Sequence, residues 1–320
     1  MPAAVHPTRR FHFLLLLFAA CLPCHGAGGD TSLLRRGDAT LTLQLGDGFS
    51  PATRQAIVLW TDFIADALWR VYGRWPRAQW AIAVEPASGS ADDPIPWGQV
   101  QRGPVDRVEF FILPNASAEE LKQAWTGYHE LAHLLIPYRG WGDAWFSEGL
   151  ATYYQNLMQA RSGILSEQQM WQKLHDGFMR GRADLRFDGE PLNSVSDGMR
   201  EHGGFMRVYW SGAWYFLAAD TRLRRQSEGR QNLDLALEKL NRCCRDARLS
   251  VPEIVARLDQ LNDVVLFQPL YEELRSSTQL PPFEPMFDRL GVAVEGGLVE
   301  LRSDAPDAYL RRKMVARPSL

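Results

Sequence analysis

The chain has 320 residues, of which 46% are hydrophobic and 23% charged, and its formal net charge is −3. Those values exclude collagen, a coiled-coil rod and a disordered tail protein, because each of these classes needs a much stronger compositional bias. The near balance of 35 basic and 38 acidic residues also argues against a protein that binds nucleic acid. The composition therefore predicts a soluble globular protein.

Residues 1–26 are predicted to be an export signal. Arg9 and Arg10 precede an apolar run at residues 11–22, and small residues follow it. This order of charged, apolar and small residues is typical of exported proteins. A membrane span needs roughly 20 apolar residues, so a retained anchor or a buried core helix is the less favoured alternative. We expect a periplasmic or secreted protein with no membrane span beyond this segment. Attachment of a lipid at Cys21 is an open alternative.

Removal of that segment changes the composition of the mature chain. It takes away two arginines and no acidic residue, so the net charge goes from −3 to −5. It also leaves Cys243 and Cys244 as the remaining cysteines. Because a disulfide between neighbouring residues would be strained, one buried thiol is the simpler interpretation of this pair.

Residues 27–115 are predicted to form an N-terminal α/β subdomain with a mixed sheet. Ala39–Leu45 alternates apolar and polar residues, which is the period of a half-buried strand. Ser50 and Pro51 supply an N-cap and a first-turn proline, and the helix that they begin is expected to end near Gly73. Further strands are predicted at 80–84 and 108–113.

Residues 116–320 are predicted to form a mostly helical subdomain, which gives an α+β fold overall. Ser117 and Glu120 have the capping-box pattern, and one helix is expected from there to about Ile136. A second helix is expected over 144–161. The remaining predictions are helices at 167–180, 205–225, 232–246, 251–262 and 267–276, and a short hairpin over 292–301.

Two histidines in the first of these helices are four residues apart. His129 and His133 share one face of a helix, so both imidazoles can reach one metal ion. Glu130 lies one position round the helix, where it can act on water at that ion. The alternative interpretation is a helix that merely carries two partly exposed histidines.

A third metal ligand is predicted on the next helix, since catalytic zinc sites usually have three protein ligands. Glu148 is a single acid in an otherwise apolar and aromatic stretch. A carboxylate buried there would be costly unless it is paired or binds a metal. Gly140 and Gly142 suit a tight reversal, and two helices packed antiparallel would bring Glu148 back beside His129 and His133.

The motif His-Glu-x-x-His, followed by Trp-Phe-Ser-Glu-Gly-Leu-Ala-Thr-Tyr-Tyr, resembles the zinc site of gluzincin metallopeptidases. The alanyl aminopeptidase and glycyl aminopeptidase families are the most similar, over about residues 105–291. The resemblance implies a thermolysin-like catalytic domain with one zinc ion per chain. It also implies His129, His133 and Glu148 as metal ligands and Glu130 as the general base.

Tyr209 and His202 are the candidates for stabilising the oxyanion. The resemblance implies a catalytic tyrosine in a Tyr-x-x-Gly-Ala setting, and Tyr209 precedes Gly212 and Ala213 in that way. The alternative for Tyr209 is a core tyrosine in an aromatic helix. His202 is the second candidate, since thermolysin-like enzymes use a histidine here, and its alternative is a surface histidine.

We therefore predict an exported zinc peptidase that hydrolyses peptide bonds in a peptide or protein substrate. The Gly-x-Met-Glu-Asn segment of alanyl aminopeptidases is absent upstream, so cleavage at chain ends or within chains stays open, as does the oligomeric state. One alternative is a catalytically silent gluzincin-like domain that binds a peptide or an envelope component. The other is a structural envelope protein with a chance motif.

Overall fold

The computed structural model describes residues 30–89, 92–138, 140 and 142–316. The predicted export signal at residues 1–26, including Cys21, lies outside them. Over the described ranges, no helix is both long enough and apolar enough to cross a membrane.

The first third of the described chain forms a five-stranded mixed sheet with the strand order β1-β2-β3-β5-β4. Its strands are β1 Asp30–Arg36, β2 Ala39–Leu45, β3 Gln79–Pro86, β4 Trp97–Gln101 and β5 Asp106–Ile112. The β2–β3 and β3–β5 pairs are parallel, whereas β1–β2 and β4–β5 are antiparallel. The short strand β4 therefore lies at one edge of the sheet, and the predicted α+β fold with a mixed sheet is confirmed.

Helix α1, Pro51–Tyr72, packs on one face of this sheet. It begins as the sequence predicts, because the Ser50 hydroxyl accepts a hydrogen bond from the Thr53 amide at 3.1 Å. It ends at Gly73, whose φ of 70° is left-handed. Trp60 meets Phe110 of β5 edge-on at 5.1 Å. The buried stripe of α1 consists of Ile57, Trp60, Ile64, Leu68 and Val71.

The rest of the described chain is mostly helical. Its helices are α2 Ala118–Gln123, α3 Thr126–Ala132, α4 Ala144–Arg161, α5 Glu167–Ala183, α6 Leu192–His202, α7 Phe205–Gln226, α8 Leu233–Cys244, α9 Val251–Asn262, α10 Phe267–Arg275, α11 Glu284–Leu290 and α12 Ala308–Val315. The predicted hairpin is β6 Val292–Glu295 and β7 Leu298–Leu301. Helices α4 and α7 pack along each other. The division into subdomains at residues 27–115 and 116–320 stays a prediction.

The prediction of a single helix between Ser117 and Ile136 is wrong, because the helix is interrupted at Ala124. The capping box is present, and α2 begins after Ser117, but Ala124 adopts an extended ψ of 131°. Contacts with the first part of the chain explain the break. The Thr126 hydroxyl donates to the Ile95 carbonyl at 3.2 Å. Gly127 lies so close to Trp60 that a Cβ there would be 2.8 Å from the indole ring.

The interpretation of one buried thiol is also wrong. Cys243 and Cys244 form a disulfide at the end of α8, and Cys243 is exposed.

Candidate metal centre

Helix α3 and the 3₁₀ turn that follows it carry the two predicted histidine ligands. The rings of His129 and His133 lie 5.0 Å apart, centroid to centroid, and nearly perpendicular to each other. His129 is buried and His133 partly buried. The α-helix ends at Ala132, and His133 begins a 3₁₀ turn that runs to Leu135.

A left-handed turn then leads the chain into α4. Gly140, Gly142 and Asp143 have φ values of 84°, 64° and 47°. Glycine adopts such values freely, whereas Asp143 needs support from its surroundings. Its carboxylate accepts hydrogen bonds from the Trp145 indole at 3.2 Å and the Tyr271 hydroxyl at 2.9 Å. This turn sets where α4 begins and hence where Glu148 lies.

The structure brings together the three predicted ligands. The Glu148 carboxylate oxygen Oε2 lies 3.2 Å from His129 Nε2 and 3.7 Å from His133 Nε2. One ligand atom from each residue lies within 4.8 Å of the others. Two imidazole nitrogens and one carboxylate oxygen are the donor set of many catalytic zinc sites. The residues present therefore fit a zinc ion.

Two further residues of α4 orient the histidine rings, and neither is predicted from the sequence. His129 Nδ1 lies 2.7 Å from Gln155 Oε1, and His133 Nδ1 lies 2.9 Å from the Ser147 hydroxyl. With Nδ1 engaged, each Nε2 can present its lone pair to a metal. Gln155 follows Glu148 by seven residues, which is two helical turns on the same face, and that spacing was the available sequence signal.

Glu148 and His133 favour the forms that bind a metal, whereas His129 favours its protonated form. Burial opposes protonation of His129, but the hydrogen bond to Glu148 and the charges of Glu148 and Glu130 outweigh it and raise the pKa of His129. Burial opposes ionisation of Glu148, but His133, the hydrogen bond from His129 and the Tyr209 hydroxyl outweigh it and lower the pKa of Glu148 to about 2. Burial lowers the pKa of His133 to about 4. An ionised carboxylate and a neutral imidazole are the species that coordinate a metal ion.

Glu130 lies beside the cluster, against the edge strand of the sheet. A Cβ at Gly98 of β4 would be 2.7 Å from Glu130 Cγ, so only glycine leaves room for this side chain. Burial raises the pKa of Glu130 to about 7, although the charge of His129 opposes the shift. A carboxyl group with a pKa near neutrality can both accept and return a proton.

Tyr209 of α7 reaches the cluster from another side. Its ring stacks on His129 at 5.9 Å with an interplanar angle of 19°. Burial raises the pKa of Tyr209 and the nearby charge of Glu148 adds to the shift, so the hydroxyl stays protonated and can donate. Two glycines allow this approach, because a Cβ at Gly149 would lie 2.2 Å from the backbone of Gly212.

His202 lies at the end of α6, and its side chain is 65% exposed. Its ring is 3.6 Å from Glu201. Within the described residues, the group that could hold a metal consists of His129, His133 and Glu148 and does not include it.

Part of the chain is similar in sequence to a known protein family. Residues 141–214 match the model of the M61 glycyl aminopeptidase family. That segment includes Glu148 and Tyr209 and begins after His129 and His133. No curated protein matches the chain in sequence.

Solved structures resemble the fold over most of the chain. An aminopeptidase N family protein from Idiomarina loihiensis has a TM-score of 0.65 at 15% identity. The match covers 84% of this chain and 50% of that protein's chain. An M1 zinc metallopeptidase from Deinococcus radiodurans has a TM-score of 0.50 at 17% identity, covering 79% of this chain and 52% of its own. The chain thus spans about half the length of both. Its fold is that of the M1 metallopeptidase structures, a segment of it is similar to the M61 glycyl aminopeptidases, and the predicted resemblance to gluzincin zinc aminopeptidases is confirmed.

Proposed function

We propose that the chain is a zinc-dependent peptidase in which Glu130 is the general base. The observation that carries the proposal is the cluster of His129, His133 and Glu148, with Glu130 and Tyr209 beside it. Structural zinc sites have four protein ligands, whereas catalytic sites have three and an open position. In the described part of the chain the cluster has three. A carboxyl group and a hydroxyl group next to that position are what hydrolysis of an amide requires.

Each side chain of the site has a separate role in hydrolysis. A bound zinc ion would polarise the scissile carbonyl and increase the acidity of water. Glu130 accepts a proton from the attacking water as the new C–O bond forms, and it delivers that proton to the amine nitrogen as the C–N bond breaks. The Tyr209 hydroxyl donates a hydrogen bond to the oxygen that becomes negatively charged. Glu148 and the two histidines would hold the metal.

The edge strand supports a peptide as the substrate. β4 pairs with β5 on one side, and within the described sheet no strand follows it on the other. An extended peptide can pair with such an edge as an added strand. Because Gly98 of β4 lies against Glu130, a peptide paired there would run past the proposed base.

The direct test is digestion of a mixed peptide library by the purified protein, with and without a chelator. We expect cleavage that the chelator abolishes and added zinc restores, and the product ends would distinguish terminal from internal cleavage. Zinc-loaded, folded protein that leaves the whole library intact would contradict the proposal.

Tyr209→Phe is expected to lower kcat by about 10²–10³-fold with little change in KM, because removal of one oxyanion donor has an effect of that size. Steady-state kinetics on a cleaved peptide measure it. Tyr128→Phe is the matched control, since the Tyr128 hydroxyl donates to the Lys122 carbonyl at 2.9 Å. Wild-type turnover in Tyr209→Phe, with turnover lost in His202→Ala, would transfer the role to His202.

We also propose export, on the basis of the charged, apolar and small-residue order in residues 1–26. Expression of the full chain should yield a protein that has lost this segment, with a lipid on Cys21 if it is tethered. Intact-mass spectrometry of the cell fractions measures both, and an unprocessed cytoplasmic product would contradict export.

A further inference from the structure

The second histidine ligand lies where its helix ends. The α-helix stops at Ala132, His133 begins the 3₁₀ turn, and Ile136 is already extended with φ −128° and ψ 152°. Carbonyls in the last turn of a helix lack partners within that helix. His133 is thus followed by one short 3₁₀ turn and then by extended backbone, whereas a ligand in the middle of a helix is followed by further α-helical turns.

Arg102 donates to two carbonyls of this segment. Its Nη2 donates to the His133 carbonyl and, at 3.1 Å, to the Ile136 carbonyl. Arg102 directly follows the edge strand β4, and its side chain is 13% exposed. One guanidinium thus ties the end of the motif helix to the edge of the sheet beside Glu130.

Asp106 orients that guanidinium. Its Oδ2 accepts from Arg102 Nη1 at 2.8 Å and from Arg77 Nε at 2.6 Å. Arg77 in turn donates to Asp246 at 2.7 Å. The Asp106 side chain is 1% exposed, and its carboxylate is paired with the guanidinium groups of both Arg102 and Arg77. A buried ion pair tolerates burial when its charges are matched and hydrogen-bonded in this way.

We propose that Arg102 is a positioning residue for the metal centre. Arg102 fixes the backbone of His133, and Asp106 holds the guanidinium of Arg102 in place. Ser147 fixes the ring of His133 through Nδ1, and Arg102 fixes its main chain. Together they determine where Nε2 lies. This inference rests on the proposed function only in that the centre binds zinc.

The experiment compares zinc affinity in Arg102→Lys with that in a matched variant, Arg311→Lys. Arg311 is also buried, and its Nη1 donates to the carbonyls of Leu290, Gly291 and Arg302. Lysine keeps the charge at either site but loses the planar fork. Competition with a fluorescent chelator measures the zinc dissociation constant, and urea unfolding of the metal-free proteins measures stability.

We expect Arg102→Lys to weaken zinc binding by about 10–100-fold, the usual effect of losing a residue that supports a metal ligand. Arg311→Lys should keep the wild-type zinc affinity, even if its metal-free stability falls as much as that of Arg102→Lys. Asp106→Asn should weaken zinc binding less than Arg102→Lys, because Arg102 keeps its carbonyl contacts. A changed absorption spectrum of the cobalt-substituted Arg102→Lys protein would report the altered ligand geometry.

Equal zinc affinity in the wild type and a folded Arg102→Lys variant would overturn the inference, as would an equal loss of affinity in Arg311→Lys. The outcome is separable from the proposed function. Zinc binding that weakens in Arg102→Lys while the wild type cleaves no peptide would keep this inference and overturn the function. Unchanged zinc affinity in a fully active Arg102→Lys variant would overturn this inference and keep the proposed function.

Discussion

Glu130→Gln is expected to lower kcat/KM for a cleaved peptide by about 10²–10⁴-fold, the range that one general acid–base group contributes. The amide of glutamine has nearly the same shape as the carboxylate but cannot accept the proton of the attacking water. Because Glu130 is not one of the three clustered ligand residues, the variant should still bind one zinc ion per chain. Steady-state kinetics and metal analysis of the same preparation measure the two quantities together.

The control for this variant is Glu119→Gln, which removes an exposed carboxylate on the nearby helix α2. It should keep wild-type kinetics. The comparison also separates the proposed peptidase from a catalytically silent peptide-binding domain. A silent domain would bind peptides equally well with either residue at position 130 and cleave them with neither. Cleavage by Glu130→Gln at the wild-type rate would show that another group takes the proton.

The parts of the fold that the sequence predicts correctly depend on local physics. Ser50, Pro51 and Gly73 define both ends of α1 because capping and left-handed backbone need only the residues concerned. The four-residue spacing of His129 and His133 likewise determines that they share a face. Glu148 could be assigned as their partner because burying a lone carboxylate in an apolar helix is costly unless it is paired or binds a metal.

The break between α2 and α3 shows where local reasoning ends. The capping box at Ser117 predicts the start of a helix, but nothing in the residues that follow marks a stop at Ala124. The helix ends there because Gly127 packs against Trp60 and Thr126 bonds to Ile95, residues that are distant in sequence. The break has a consequence for the site, since the shorter helix α3 stops at the second ligand.

The supporting side chains of the site could not be predicted for the same reason. β4 is short and has no clear alternation, so neither Gly98 nor Arg102 stands out in the sequence. Each gains its role from an approach in space, Gly98 to Glu130 and Arg102 to the end of α3. A motif specifies the atoms that bind a metal, whereas the contacts that hold those atoms in place come from the whole fold.

His133→Ala is expected to abolish both zinc binding and hydrolysis. Two protein ligands remain in this variant, and the loss of affinity should exceed the roughly 10–100-fold effect of removing a supporting residue. Zinc binding stabilises the folded state, by about 4 kcal/mol when free zinc is ~1,000 times the dissociation constant. The wild type should therefore gain thermal stability when zinc is added, whereas His133→Ala should not. Metal analysis and thermal unfolding with and without zinc measure these effects.

His175→Ala is the matched control for that variant, since His175 is also a buried histidine but lies on α5, outside the cluster. It removes a ring that packs edge-on against Phe283 at 5.9 Å, so some loss of stability is expected without any loss of zinc. If both histidine variants kept one zinc per chain, the metal would be held elsewhere, and the motif would be a chance pattern. If His133→Ala alone lost it, zinc binding and the response of stability to zinc would both depend on the site that α3 and α4 form.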